Sequence, residues 1–229
     1  MSKIIKLFSM IFIVFCGYIL FKNNWYLVDE INNNKESFDK ITLKSDEINF
    51  SFDRKDIPEI DAYLSDNNDL KIEIERMNLL HVSTINDNNY YIIQYGCGTK
   101  LCNNILVEEN KGILNTVLLS EFSIYQGLKL SPNLNYMVFI FGRNEGSIVI
   151  KHDLVIVNIS DLQKQQLIVS EKEKFKSFNW MITNVEWLND DRLQITIPSI
   201  ANFDFDYLKQ WIESNNQETK NIKLTIKAN

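Results

Sequence analysis

The sequence predicts a mainly β protein, made of antiparallel hairpin or blade-like repeats that follow an N-terminal membrane helix. Short β-branched and aromatic runs recur from Ile48 onward, and Asn, Asp, Gly or Pro separate them. A composition of 45% hydrophobic and 12% aromatic residues supplies a core and excludes a disordered chain. We expect a membrane anchor or uncleaved signal over residues 1–22, a tether over 23–45 and a β-rich domain over 46–229.

An apolar run near the N-terminus predicts the membrane anchor. Lys3 and Lys6 precede residues 7–21, and Lys22 follows them. Counted over residues 4–21, the run has about 18 residues and would span roughly 27 Å as a helix, the short end of a membrane span. Because basic residues before a span stay in the cytoplasm, we expect a membrane-anchored protein whose remaining residues are translocated out of the cytoplasm.

Two other fates of the N-terminal segment remain open. A cleaved signal peptide needs small residues before the cut, whereas residues 18–21 are large. A lipoprotein needs a small residue before its acylated cysteine, whereas Phe15 precedes Cys16. An uncleaved signal anchor therefore fits better than cleavage or lipidation at Cys16.

The polar stretch over residues 23–45 predicts a tether between anchor and domain. It is rich in Asn, Lys and Glu, and Trp25 and Tyr26 lie near its start. An aromatic pair at this position is typical of a membrane interface. The same pair would also suit the first packed residues of the domain.

Cys97 and Cys102 predict a disulfide. Gly96 and Gly98 flank Cys97, so the loop between the two cysteines can turn tightly enough for them to meet. A redox pair usually has C-x-x-C spacing, and a zinc site needs further ligands. An oxidising compartment favours the structural disulfide over a redox pair, a metal pair or free thiols.

The predicted strands are short and follow one another along the domain. One stretch, residues 205–214, has helical spacing, with Leu208, Trp211 and Ile212 at positions i, i+3 and i+4. The strand signals lie over residues 90–95, 137–141, 148–150, 154–157, 193–197 and 222–226.

An internal repeat joins three of these strands to a preceding turn. Residues 82–90, 128–136 and 185–193 each combine a strand, a polar Asn or Asp turn and the start of a second strand. Successive copies lie 46 and 57 residues apart, near the length of a four-stranded propeller blade.

The turns of this repeat resemble those of a known class of envelope proteins. Ser131-Pro132-Asn133 with Tyr136, and residues 185–191, are similar to the blade turns of TolB-like and WD40-like propellers of bacteria, which usually read Trp-Ser-Pro-Asp-Gly. Residues 96–99 with a nearby cysteine resemble a Gly-Cys-Gly-Thr…Cys motif of small secreted bacterial proteins of unknown function. The resemblance implies a binding platform. Three copies are fewer than the four to eight blades of a closed ring, so we expect a partial propeller or a meander sandwich.

The sequence lacks the motifs that would identify an enzyme. It contains no phosphate-binding glycine loop, no G-x-S-x-G and no H-E-x-x-H, so we predict no catalytic residue, cofactor or metal. His152 and Asp153 would point to opposite faces of a strand, which argues against a catalytic base and its orienting acid, and we interpret them as a polar loop or bulge between two strands. His81 lies in an apolar stretch and is expected to be hydrogen-bonded and partly buried. Glu108 and Glu109 are expected to start a polar loop.

Phe203, Asp204, Phe205 and Asp206 are the candidate partner-binding residues. Aromatic and acidic side chains together suit a basic protein partner or a sugar, and they equally suit the N-terminus of a helix. A net charge of -6 and a pI near 5.1 argue against nucleic acid and favour a basic partner.

These observations predict a membrane-anchored extracytoplasmic protein-binding module. The resemblance to bacterial envelope proteins implies a bacterial inner-membrane location with the C-terminal domain in the periplasm. One form of it is an immunity protein against a toxin delivered to the envelope. The alternatives are an envelope assembly accessory and a carboxylate-dependent enzyme on envelope polymers, for which Asp204 and Asp206 would supply the acids.

Overall fold

A computed structural model describes residues 38–45, 48–170 and 173–227. The predicted anchor over residues 4–21, with Cys16, lies outside the described residues, as does most of the predicted tether. Within the described part of the chain, no helix is long and apolar enough to cross a membrane.

The described chain is mainly β, as predicted, and its strand pairs are antiparallel. A separate hairpin pairs β1 with β2, and a continuous sheet runs in the order β11-β12-β13-β9-β8-β7-β6-β5-β4-β3, with β10 beside β9. The strands are β1 (Lys40–Lys44), β2 (Asn49–Asp53), β3 (Asn78–Ile85), β4 (Asn88–Tyr95), β5 (Cys102–Asn110), β6 (Ile113–Leu130), β7 (Tyr136–Glu145), β8 (Val149–Asn158), β9 (Lys164–Ser170), β10 (Glu173–Lys174), β11 (Asn184–Trp187), β12 (Arg192–Pro198) and β13 (Thr219–Lys227).

Within the described residues, three α-helices interrupt the strands, and only the last was predicted. This helix, α3 (Phe205–Glu213), buries Leu208. The earlier two, α1 (Pro58–Ser65) and α2 (Leu70–Glu75), follow a 3₁₀ turn at Arg54–Asp56, in a region expected to be strand-rich. Proline at the start of α1 is a helix-start signal that the strand-based interpretation missed.

The first hairpin forms partly within the predicted tether. Strand β1 begins at Lys40, and β1 and β2 each alternate exposed and buried residues. The buried face carries two aliphatic and two aromatic side chains, Ile41, Leu43, Phe50 and Phe52. The folded unit therefore includes residues before the predicted boundary at 46.

The core of the described part of the chain consists of three clusters that lie on alternate faces of the sheets. Tyr91 and Ile93 of β4 contact the first cluster, together with the β1–β2 hairpin and α1, whereas Ile92 of β4 contacts the second. Phe139 of β7 lies in the second cluster and Val138 in the third, with β11, β12 and β13. Strands β4 and β7 are thus buried on both faces, which explains their continuous apolar runs.

Strand β6 carries the chain from one sheet region to the next. Its first half pairs with β5, and residues 124–130 pair with β7. Register shifts in both pairings accompany the change, and Phe122, between the two halves, has a φ of 46°. This bulge at residues 121–123 changes the direction of the strand. Side chains form hydrogen bonds with the backbone groups of the bulge.

Candidate functional site

The predicted disulfide between Cys97 and Cys102 is present and closes the loop between β4 and β5. Gly96 has a φ of 58°, and a side chain there would meet Asn103 at 3.0 Å and Tyr63 at 3.2 Å. Glycine is therefore needed for both its conformation and its size. The guanidinium of Arg76 donates a hydrogen bond to the carbonyl of Cys97 and ties the loop to the end of α2.

An open cleft of about 540 Å³ lies beside the disulfide loop. Three segments that are distant in sequence meet there: the loop, the β6 bulge and the turn between β7 and β8. The lining residues are Gly96, Gly98, Thr99, Lys100, Leu101, Phe122, Asn144 and Gly146.

Phe122 is the most prominent side chain of this cleft. It is 59% exposed and adopts a left-handed backbone conformation, which is unusual for a bulky residue. Its N–H donates to Oδ1 of Asn103 at 3.2 Å, and its carbonyl accepts from Nε of Arg143 at 2.9 Å. The bulge therefore presents an aromatic ring to solvent from a backbone that is fixed on both sides.

Arg143 holds the bulge through a second bond as well. Its Nη2 donates to the carbonyl of Glu121 at 2.7 Å, and its guanidinium lies 3.8 Å from the ring centre of Phe178. A guanidinium suits this position because its planar fork can bond two carbonyls while it stacks on an aromatic ring.

A small polar network supports the bulge from the interior. Asn104 is fully buried, and its Nδ2 donates to Oγ of Ser123 at 3.2 Å and to the carbonyl of Cys102 at 3.0 Å. Oγ of Ser123 in turn bonds Oγ of Ser120 at 2.9 Å. Buried amide and hydroxyl groups with partners fix the local backbone, so the network links the disulfide to the bulge.

Two charged residues lie behind the bulge. Burial raises the pKa of Asp153, against a hydrogen bond from Ser177 and the positive charges of Lys164 and Arg143. Burial likewise lowers the pKa of Lys164, whose Nζ donates to the carbonyl of Leu119 at 2.9 Å. The opposite charges of Asp153 and Lys164 favour each other's ionised form and help both groups to tolerate burial.

The four predicted partner-binding residues divide into packed and exposed members. Phe203 packs beside Trp180, with ring centres 6.4 Å apart, and the ring of Phe205 covers Gly146. Asp204 directly precedes α3 and Asp206 lies in its first turn, and both are exposed. The aromatic residues therefore pack against the protein itself, and the acids surround the N-terminus of a helix. Through Phe205 and Gly146, this segment adjoins the cleft.

The prediction of a polar loop at His152 and Asp153 is wrong, because both lie within β8. His152 is buried, and its Nδ1 accepts a hydrogen bond from the N–H of Ile182 at 2.9 Å. Burial lowers the pKa of His152 to about 4. Successive strand residues face opposite ways, so the two side chains do not form a base and its orienting acid.

The expectations for the remaining acids and for His81 also change. Glu108 and Glu109 lie within β5 rather than in a loop. Glu108 is buried and accepts a hydrogen bond from the Tyr90 hydroxyl at 2.9 Å, which makes it a structural group. His81 forms the expected hydrogen bond, with Thr84 at 3.0 Å, but it is exposed rather than partly buried. No set of three or more potential metal ligands occurs among the described residues.

Comparison with protein-family models, curated proteins and solved structures finds no match. The resemblance to TolB-like and WD40-like propellers therefore stays a prediction, and the site must be interpreted from its own chemistry.

Proposed function

We propose that this chain is a membrane-anchored extracytoplasmic protein-binding module with a partial-propeller arrangement of its hairpins. The observation that carries the proposal is the exposed Phe122, which the fold holds at the rim of an open cleft. Aromatic side chains in pre-organised positions are typical anchors of protein interfaces, since they bury large area at low entropic cost.

Two further observations support the proposed location. The apolar run over residues 4–21 has the length and the flanking lysines of a signal anchor. The disulfide belongs to the folded unit, and disulfides persist in oxidising compartments.

In-cell crosslinking followed by affinity capture of the tagged full-length protein and mass spectrometry tests this function. We expect one dominant partner that the folded protein captures. The matched control is Phe141→Asp, which places a charge at a fully buried position of the second core cluster and should unfold the domain. A partner lost in the control supports the proposal, and its identity separates an immunity role from an assembly role. No partner above the control would contradict it.

A further inference from the structure

We infer that residues 175–182, here called the strap, form an acid-sensitive latch: protonation of His152 releases the strap from β8 and uncovers the third core cluster. Such a latch would act whether or not the chain binds the proposed partner. It follows from the hydrogen bonds between His152 and the strap, from the chemistry of the imidazole ring and from the irregular backbone of the strap.

The strap is tied to β8 through a single residue of that strand. The N–H of His152 donates to the carbonyl of Trp180 at 2.8 Å, and its carbonyl accepts the N–H of Phe178 at 2.9 Å. Nδ1 of the same residue accepts the N–H of Ile182 at 2.9 Å. His152 therefore holds three positions of the strap, and one of the three bonds depends on its side chain.

The bond from Ile182 requires a neutral imidazole. A neutral ring keeps one nitrogen as an acceptor, whereas in the imidazolium both nitrogens carry hydrogen and only donate. Protonation would therefore place an N–H of the ring against the N–H of Ile182, at a position where His152 is 7% exposed. Burial lowers the pKa of His152 to about 4, against an opposing hydrogen bond with the backbone of Trp180, so the closed strap resists protonation.

The backbone of the strap is irregular and open to solvent in part. It connects β10 to β11 outside the regular strands. Phe178 has a φ of 51°, a conformation that disfavours a bulky residue, and Lys176, Ser177 and Asn179 are exposed. Segments with a strained backbone and few buried contacts open before the core does. The strap can therefore detach while the sheets stay folded.

The strap covers apolar side chains when it is closed. Ile182 belongs to the third cluster, and Phe175 and Trp180 pack against it. The ring of Trp180 lies 5.5 Å from that of Phe175 and 6.4 Å from that of Phe203, between centres. Release of the strap would expose these rings and the cluster beside them, so acid would convert a covered apolar surface into an open one.

The charged groups on the same strand face away from His152. Lys151 and Asp153 point to the opposite face of β8, where Arg143 of β7 stacks on Phe178. Asp153 also bonds Ser177 of the strap, and burial raises its pKa. A group whose pKa is raised in the closed state favours that state in acid, so Asp153 opposes the latch and cannot replace His152 as its trigger.

The neighbouring elements place no buried charge beside His152 within the described residues. Gly142 of β7 lies directly opposite it. The strap contributes Trp180 and Ile182 to this side, and its Lys176 is exposed. Helix α3 also contacts β8, and the charged side chains of this helix and its first flanking residue are exposed: Asp204, Asp206, Lys209 and Glu213.

The sign and size of the effect follow from the two pKa values of His152. Between its ordinary value of 6.5 and its closed value of about 4, the open state binds a proton that the closed state does not. The closed strap is therefore fully favoured above pH 6.5 and loses stability as the pH falls towards 4. From pH 7 to pH 4.5, His152 alone would raise the open fraction about fiftyfold. Because Asp153 opposes this, we expect a rise of at least about tenfold.

Hydrogen–deuterium exchange of the full-length protein, resolved to single amides by mass spectrometry, tests the latch. After correction for intrinsic exchange rates, the protection of the Phe178 and Ile182 amides should fall at least about tenfold from pH 7 to pH 4.5. At pH 4.5, the amides of Ile92 and Ile93, which are fully buried in β4, should stay at least about tenfold better protected than those of the strap. This difference would show that the opening is local.

His152→Asn is the variant that removes the trigger. The amide oxygen of Asn can accept the N–H of Ile182 and does not titrate, so the fall in protection should shrink to less than about threefold. His81→Asn, at an exposed histidine of β3, is the matched control for the substitution. Ser177→Ala removes the bond between the strap and Asp153 and leaves His152 in place. Both controls should keep the wild-type fall.

Three outcomes would overturn the inference: an equal fall in the wild type and His152→Asn, strap amides as well protected as those of Ile92 and Ile93, or no fall in the wild type. Protection at Ile92 and Ile93 also shows whether His152→Asn folds. If it does not, the wild type alone decides, because the chain has two histidines and the ring of His152 can be titrated by NMR. Strap protection should level off at the pH where this ring titrates, and a plateau at another pH would contradict the latch.

Discussion

At the scale of single residues, bulky side chains occupy backbone conformations that usually belong to glycine. Leu134 has a φ of 59°, and it stands where the blade turn of the resembling propellers has glycine. Leucine at this position lacks the conformational freedom of glycine, yet the chain keeps the left-handed conformation there. Phe122 and Phe178 are further examples.

Replacing Leu134 with Asn should therefore stabilise the protein. The left-handed conformation costs an ordinary residue about 1–2 kcal/mol, and Asn tolerates it better. Leu134 is 44% exposed, so truncation loses little packing. We expect the free energy of unfolding in urea to rise by about 0.5–1 kcal/mol. If the free energy of unfolding of Leu134→Asn instead falls by the same amount, the leucine side chain stabilises the turn.

His152 should make the stability fall in acid. Its folded pKa is about 4 against an ordinary value of 6.5, so between these values the unfolded chain binds a proton that the folded chain does not. The free energy of unfolding should decrease from pH 7 to pH 4 by up to about 3 kcal/mol.

The comparison of urea unfolding at pH 7 and pH 4.5 between the wild type and His152→Asn isolates this contribution. The amide oxygen of Asn can accept the N–H of Ile182, which Nδ1 of His152 now bonds. Asp153, whose pKa burial raises, acts in the opposite direction and is present in both proteins. The variant should lose less stability in acid, and equal losses would exclude His152 as the cause.

At the scale of elements, hairpins were predictable and contacts between them were not. All three repeat units form hairpins, because apolar alternation and Asn/Asp turns are local signals. Helices α1 and α2 were missed because each is short, and a few apolar residues do not distinguish a helix from a strand. His152 was misplaced because a polar residue inside a strand resembles a loop until its buried partner, the Ile182 N–H, is known.

The turn between β6 and β7 depends on Ser131. This residue is buried, and its Oγ accepts the N–H groups of Asn135 at 3.1 Å and Tyr136 at 3.0 Å. Ser131→Ala removes this acceptor from the Tyr136 N–H, whereas the Asn135 N–H keeps Oδ1 of Asn133 at 3.0 Å. The substitution should destabilise the protein by about 1–3 kcal/mol in chemical denaturation. The control Ser147→Ala, at an exposed position in the turn between β7 and β8, should change stability by less than about 0.5 kcal/mol.

The disulfide should stabilise the folded protein by an amount similar to that expected for Ser131. In the chain-entropy model, closing so short a loop stabilises the folded state by about 2 kcal/mol. We expect Cys97→Ser/Cys102→Ser to lose about this much in urea unfolding and to match the reduced wild type. A larger loss would indicate that the loop also supports the bulge through Asn103 and Asn104.

At the scale of the whole molecule, the cleft was beyond the reach of sequence analysis. The disulfide loop, the β6 bulge and the turn between β7 and β8 carry its lining, and no spacing in the chain relates them. The disulfide could be predicted because its two cysteines, and the two glycines that let them meet, lie in one short loop. The segment at Phe203–Asp206 was singled out for its exposed aromatic and acidic character, but the aromatic residues pack internally, and the exposed aromatic of the cleft is Phe122.

The outer faces of the folded unit are polar. Lys40, Thr42 and Ser51 face outward on the β1–β2 hairpin, and Gln194 of β12 pairs with Lys223 of β13 on the face opposite the third cluster. Stacked sheets remain soluble when their terminal faces are polar, as in repeat proteins whose end units cap the core.

The proposed membrane topology connects the N-terminal apolar run with the disulfide. If residues 1–22 direct the domain out of the cytoplasm, deleting them should leave Cys97 and Cys102 reduced, because cytoplasmic thiols are kept reduced. The oxidation state of the two cysteines is measured by trapping the thiols in cell extracts with an alkylating reagent and reading the mass shift. The full-length protein should resist alkylation at both cysteines until a reductant is added, and the deletion variant should react at once. Reduced cysteines in the full-length protein would contradict the extracytoplasmic location, whereas a disulfide in both would show that the loop closes without export.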